Sequence, residues 1–237
     1  MKKSSQTLIE VKEISKSYGD KVILDKVSFS LHEGEILSIV GFSGQGKSTL
    51  LNIICGLEIQ NSGSIHLLDQ NKYNYVTTRK KLLGYSSQSH SFYPELSVKE
   101  NISYFGALYS IENETLENQK KDLLKLFELE HVVDNLGSAL SEGQKKRLDL
   151  LCSLLHSPKV LILDEPTANL DFKLRDELLE YIKKLHKLGV SIIFVSHHLQ
   201  EVEELNGRVC MLNNSKVKVL EHSKNLKKSF MEFVKHG

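Results

Sequence analysis

Ile36-Leu37-Ser38-Ile39-Val40-Gly41-Phe42-Ser43-Gly44-Gln45-Gly46-Lys47-Ser48-Thr49 is the stretch that decides how this chain is read. A largely apolar run of the kind expected in a buried strand leads into G-x-x-x-x-G-K-[ST], with every fixed position matched. Glycines let the backbone wrap close to an anion so that several N–H groups point inward, and a helix opening at Lys47 brings its positive end to the same place. In such a cradle Lys47 neutralises the β and γ phosphates of a nucleoside triphosphate and the Ser48 hydroxyl ligates Mg²⁺. Gly41, Ser43, Gly44, Gly46 and Thr49 complete the nucleotide contacts. Two other readings stand beside this one. A chance glycine-rich turn matching the pattern is roughly a one-in-a-hundred event in a chain of this length. A dinucleotide fold needs G-x-G-x-x-G, which Gly44 and Gly46 begin and Thr49 fails to complete.

Upstream, residues 8–11 and 22–31 carry strand pattern, the second through Leu24, Val27, Phe29 and Leu31, and predict an N-terminal, partly antiparallel β layer. Leu50, Leu51, Ile53 and Ile54 form the inward side of a helix from Lys47 to about Cys55. From Ser97 to about Leu155 the apolar residues recur at helical spacing, which predicts a helical insertion. Strand pattern returns at residues 160–163 and 190–195, separated by an amphipathic helix with Leu174, Leu178, Ile182 and Leu185 on one face. Strand, helix and strand in alternation imply a parallel sheet. The tail, residues 221–237, is basic and reads as a short peripheral helix.

Val160-Leu161-Ile162-Leu163-Asp164-Glu165 is the second informative stretch, an apolar strand that ends abruptly in two acids. A buried charge is costly unless paired, so two carboxylates at the C-terminal end of a parallel strand point to a cation and a chemical task. Asp164 suits Mg²⁺, while Glu165 suits orienting or deprotonating an attacking water. An acidic turn is the plainer reading of this pair alone; beside a matched phosphate cradle it becomes the lesser one.

Composition bounds these readings. A chain of 237 residues, 40% hydrophobic, can bury a full core, as one large α/β domain or one domain with an inserted subdomain. Its net charge of +1 supplies no field favouring nucleic acid or an anionic membrane, so no nucleic-acid partner is expected. Cys55, Cys152 and Cys210 lie apart among apolar residues, as packed thiols do. No apolar run approaches the ~18 residues of a membrane span.

Taken together the motifs resemble the ATP-binding cassette subunit of ABC transporters over essentially the whole chain. Gln88, followed by Phe92-Tyr93-Pro94-Glu95-Leu96-Ser97-Val98, resembles the family's glutamine loop, which touches Mg²⁺ and the membrane partner. Leu140-Ser141-Glu142-Gly143-Gln144 resembles the signature L-S-G-G-Q, at about the family's distance before Asp164. Ala168-Asn169-Leu170-Asp171 resembles the aspartate loop that meets the opposite subunit, and Phe194-Val195-Ser196-His197 the switch whose histidine contacts the γ-phosphate. Tyr18 stands where the family places a ring on adenine, a stack worth about 1–3 kcal/mol.

The resemblance implies a P-loop NTPase with a parallel core sheet, an N-terminal antiparallel β layer and an inserted helical subdomain. It divides a single domain over residues 1–237 into a nucleotide-binding core (1–88 and 156–220), a helical subdomain (about 89–155) and the tail. ATP and Mg²⁺ are the implied cofactors, with Ser48, Gln88 and Asp164 at the metal and Glu165, His197, Gln88 and Lys47 in hydrolysis. Ser141, Gly143, Gln144 and Asp171 would serve a nucleotide held by a second cassette, homodimer or close paralogue, packed head to tail. A separate membrane permease is the other implied partner, which would hold the cassette at the cytoplasmic face of the membrane. The helix 145–151 departs from the Arg-Val-Ala-Ile-Ala-Arg-Ala style common in importers, so export is the expected direction. A soluble ABC ATPase serving as an assembly scaffold, or a non-transport regulator, is the alternative.

Two features bear on the signature. Ser141 and Gln144 stand at capping-box spacing, which starts a helix and leaves its N-terminal N–H groups for an anion. Glu142, in place of the first signature glycine, would repel a triphosphate unless it turns toward Lys145 or Lys146 at i+3 or i+4.

Overall fold

The computed structural model describes residues 6–68, 75–222 and 225–236. Its strands form two sheets. Strands β1 (Thr7–Tyr18), β2 (Lys21–His32) and β4 (Ser62–Leu67) make an antiparallel layer in the order β2-β1-β4. The second sheet has the order β5-β6-β7-β3-β8-β9, from β3 (Ile36–Val40), β5 (Leu83–Ser86), β6 (Val160–Asp164), β7 (Ser191–Ser196), β8 (Arg208–Asn213) and β9 (Lys216–Leu220). All its pairings are parallel except β8 with β9. The expected strand at 8–11 is the first third of β1, which runs on to Tyr18, the expected strand at 22–31 is nearly all of β2, and the expected parallel core is present.

Strands β3, β6 and β7 are buried at every position because both faces of the sheet are covered. Leu37, Ile39, Ile162, Ile193 and Val195 face one core with helix α1 (Lys47–Cys55) and the antiparallel layer. Their neighbours Ile36, Val40, Leu161, Leu163, Ile192 and Phe194 face the other, against α5 (Glu142–Leu154), α6 (Phe172–Lys187) and α7 (Leu199–Leu205). Alternate residues of each strand therefore serve opposite cores, which is the period of a strand applied to a two-sided sheet.

Helices α2 (Tyr75–Leu82), α3 (Val98–Leu108) and α4 (Asn113–Leu126) precede α5. Capping boxes start two of them, Ser97 with Glu100 on α3 and Ser141 with Gln144 on α5. Asp171 caps α6 by accepting from the Leu174 N–H at 2.9 Å. The last helix, α8 (Leu226–His236), is not the peripheral element expected of a basic tail. Leu226 and Phe230 are buried, and Phe230 meets the Phe42 ring edge-on at 5.3 Å. An apolar stripe on a charged helix outweighs its net charge in deciding where it lies.

Candidate active site

Parallel order brings the ends of β3, β6 and β7 side by side, and each ends in a motif read from sequence. The loop after β3 makes the cradle. Gly46 (φ 94°) caps α1 in the left-handed region, and a Cβ there would lie 2.6 Å from Ile23 Cγ2. Gly41 is required for close approach, since a Cβ would meet the Leu212 carbonyl oxygen at 2.5 Å. Gly44 (φ 78°) has open space where a side chain would be, and Ser43 beside it is exposed.

Lys47 is buried, and its ammonium curls back over this loop to donate to the Gly41 and Phe42 carbonyl oxygens at 3.0 and 3.1 Å. It also pairs with Glu165 Oε1 at 3.3 Å. The other oxygen of Glu165 takes a hydrogen bond from His197 Nδ1 at 3.1 Å. Lys47, Glu165 and His197 thus form one chain of contacts from three separate strand ends. Glu165 holds φ 48°, a strained conformation for a residue with a side chain, and its N–H donates to the Val195 carbonyl at 3.0 Å. That turn aims the carboxylate at Lys47 instead of continuing the strand.

Asp164 is buried, and burial holds its carboxyl above the ordinary range against the pull of a hydrogen bond with Ser48. Its Oδ1 has no hydrogen-bond partner. An orphaned carboxylate oxygen beside a serine hydroxyl is an all-oxygen, hard donor set, so these residues fit Mg²⁺. Gln88 lies exposed just beyond β5, with its carbonyl accepting from Lys146 Nζ at 3.3 Å. Tyr18 is about half exposed; its hydroxyl donates to Glu58, Lys16 Nζ stands 5.0 Å from its ring centre, and Thr49 bonds the same hydroxyl.

Among the described residues no hydrogen bond or ion pair joins Ser141, Gly143, Gln144 or Asp171 to the cradle. Ser141 and Gln144 bond each other, Ser141 N–H to Gln144 Oε1 at 2.9 Å and Gln144 N–H to Ser141 Oγ at 3.3 Å. Gly143 lies against α6, where a Cβ would come within 2.7 Å of Leu174 Cδ2. Leu174 is also the residue that Asp171 caps, so the signature and aspartate loops adjoin through one side chain. Glu142 turns away as expected and pairs with Lys145 at 2.7 Å, which holds its carboxyl below the usual range.

Glu201 is a site residue that the sequence reading missed. It is buried, and its Oε2 accepts from Thr167 Oγ1 at 2.9 Å and Ser196 Oγ at 2.7 Å. It therefore ties the segment after Glu165 to the residue before His197. Nothing in Leu199-Gln200-Glu201-Val202-Glu203-Glu204-Leu205 separates it from the two glutamates beside it.

Comparison with known proteins accords with this geometry. The ABC transporter family model matches residues 24–168. A spermidine/putrescine import ATP-binding protein of Haemophilus ducreyi is 33% identical over 95% of this chain and 62% of its own length. A probable sulfate/thiosulfate import ATP-binding protein of Chlorella vulgaris is 36% identical, covering 88% of this chain and 89% of its own. A Nod factor export ATP-binding protein of Sinorhizobium fredii is 33% identical over 92% and 63%. The chain spans less than two thirds of the length of several of these relatives, 57% for that of Haemophilus influenzae. Among solved structures, CbiO1 of Clostridium perfringens, part of an ABC transporter complex, superposes with TM-score 0.82 at 26% identity, over 95% of this chain and 92% of that one. A dimeric ATP-binding cassette bound to ADP and Pi after hydrolysis gives TM-score 0.78 at 26% identity, over 90% and 98%. Import names stand beside an export name, so the expectation of export, drawn from the helix at 145–151, gains no support.

Proposed function

The chain belongs to the ABC transporter family, and on that premise we propose that it binds and hydrolyses ATP to drive a separate membrane permease. The observation that carries this reading is the Lys47–Glu165–His197 chain at the mouth of the glycine cradle. An arriving triphosphate replaces Glu165 as the counter-charge of Lys47 and frees that carboxylate, still hydrogen-bonded to His197, to orient or deprotonate a water. His197 then stands beside the γ-phosphate. Phosphoryl transfer to water asks little covalent chemistry of the protein, so positioning and neutralisation of charge supply most of the rate. Ser48, Asp164 and Gln88 would hold Mg²⁺, which when bound neutralises charge on the phosphate oxygens.

The signature sits outside this constellation, which supports a head-to-tail pair. On α5 the capping box occupies the N–H groups of Ser141 and Gln144, and Lys145 N–H donates to the Ser141 carbonyl at 2.8 Å. The N–H groups of Glu142 and Gly143 are left as orphan donors at a helix N-terminus, a ready anion site for a nucleotide held by a second cassette. For the permease we propose the apolar groove of about 430 Å³ lined by Cys55, Leu57, Val76, Leu83, Leu108 and Tyr109, between α1, α2 and α3. Leu57, Val76 and Leu108 are exposed there, as side chains awaiting a partner are. No helix among the described residues is long and apolar enough to cross a membrane.

Glu165→Gln tests the reading. ATP affinity should stay within about threefold, hydrolysis should fall about 10²- to 10⁴-fold, and ATP with Mg²⁺ should trap a dimer on size exclusion. Unchanged hydrolysis removes Glu165 as the base.

A further inference from the structure

Asp149 has no part in the chemistry above. It lies in the stretch 145–151 that sets this chain apart from the common pattern, and it is fully buried. From α5 it reaches both ends of the loop that carries Gln88. The Ser86 hydroxyl, at the end of β5, donates to one carboxylate oxygen, and the Ser91 backbone N–H donates to the other at 2.6 Å. One turn earlier on the same face, Lys146 is also buried and donates to the Gln88 backbone carbonyl at 3.3 Å. Burial holds the Asp149 carboxyl above its ordinary range, against the opposing pull of these donors and the Lys146 charge. An apolar contact would seal a helix against a strand with no desolvation cost, so a buried carboxylate there calls for a role beyond packing.

We infer that Asp149 is a positioning residue that clasps both flanks of the glutamine loop to the helix whose N-terminus carries the signature. With Lys146 it makes Gln88 and Ser141 parts of one body, so that any shift of α5 carries Gln88 with it. The inference rests on the reading of Gln88 as a nucleotide-site residue. Its test is arranged so that the clasp and the hydrolase reading fail separately.

Amide hydrogen exchange without nucleotide reads the clasp directly in Asp149→Ala. Residues 87–91 should exchange at least tenfold faster, with β6 and α1 unchanged. Steady-state kinetics read the consequence: kcat should fall about 10- to 100-fold, as misplacement of a catalytic group does, with ATP affinity within twofold because the cradle lies on another element. Unchanged exchange at 87–91 overturns the clasp, and faster exchange with unchanged kcat overturns the positioning role. An inactive parent protein refutes the hydrolase reading and leaves the exchange result to decide the clasp. Should Asp149→Ala unfold, the double variant S86A/D149A removes both members of the Ser86–Asp149 pair and so leaves no orphaned serine hydroxyl in the seam. It should regain Tm yet keep the low kcat, because the Ser91 N–H still lacks its anchor. Recovery of kcat together with Tm would show a packing role only and overturn the inference.

Discussion

Replacing Glu201 by alanine tests whether the strand ends around the site are held by one buried carboxylate. Glu201 Oε2 takes two hydroxyl donors, Thr167 at 2.9 Å and Ser196 at 2.7 Å, and both donors are buried. Hydrogen bonds to a charged acceptor contribute about 1.5–3 kcal/mol each. The Ser196 oxygen keeps one partner in the variant, the His198 N–H at 3.0 Å, so its loss falls at the low end. Removing a buried charge also relieves its desolvation, which offsets part of the total. We expect a net loss of about 2–4 kcal/mol, which for a chain of this size lowers Tm by roughly 4–16 °C. Chemical denaturation of the nucleotide-free protein measures it. Glu201→Gln is the control: its carbonyl can accept both hydroxyls, and its amide takes the place of Oε1, which has no partner in the wild type. It should lose at most about 2 kcal/mol. A Glu201→Ala loss under about 1 kcal/mol, or equal losses in the two variants, would refute the reasoning. Hydrolysis should fall with Glu201→Ala beyond what stability explains, because Thr167 and Ser196 flank Glu165 and His197.

Lys47→Ala removes the ammonium placed in the cradle and should raise the Kd for ATP at least about tenfold by titration; equal affinity would remove the cradle reading. Glu142→Gly breaks an exposed pair with Lys145 of a kind contributing about 0.3–0.5 kcal/mol and puts glycine in the first turn of α5 at a cost of at most about 1 kcal/mol, so Tm should fall by no more than about 6 °C. Since the carboxylate already faces away from the signature N–H groups, hydrolysis should change less than about threefold, and a tenfold rise would show that it opposes the nucleotide. His156 sets an acid limit: burial lowers its pKa from 6.5 to about 4, with Nε2 at 3.0 Å from the Leu83 carbonyl and the ring stacked on Tyr109. A histidine whose folded pKa is depressed contributes stability above its unfolded pKa and loses it as pH falls through 6.5 toward 4. Between pH 7.5 and 5 the wild type should lose about 2 kcal/mol that His156→Gln retains, measured by urea unfolding at each pH.

What the sequence determined by itself is what contiguous residues determine. A phosphate cradle is one turn and the start of one helix, so Gly41 to Thr49 announce it without any partner. Asp164 and Glu165 are visible because a charge has no place inside an apolar strand, and the helix start at Ser141 is visible because a cap is satisfied within three residues. Apolar periodicity likewise exposed the first third of β1, nearly all of β2, the three central strands β3, β6 and β7, and the helices α1 and α6. It could not show Leu83–Ser86, four residues with no readable alternation, nor order the strands, because period reports which face a residue takes and not which strand lies beside it. Only the tertiary structure decided that β6, β7 and β3 are neighbours, and that order alone brings Lys47, Glu165 and His197 within hydrogen-bond reach across more than half the chain. The same holds for Glu201, Asp149 and Phe230, residues of ordinary type in ordinary helices. Their significance comes from what long-range packing sets against them, two hydroxyls, both flanks of a loop and the ring of Phe42, and no local pattern encodes a partner that distant.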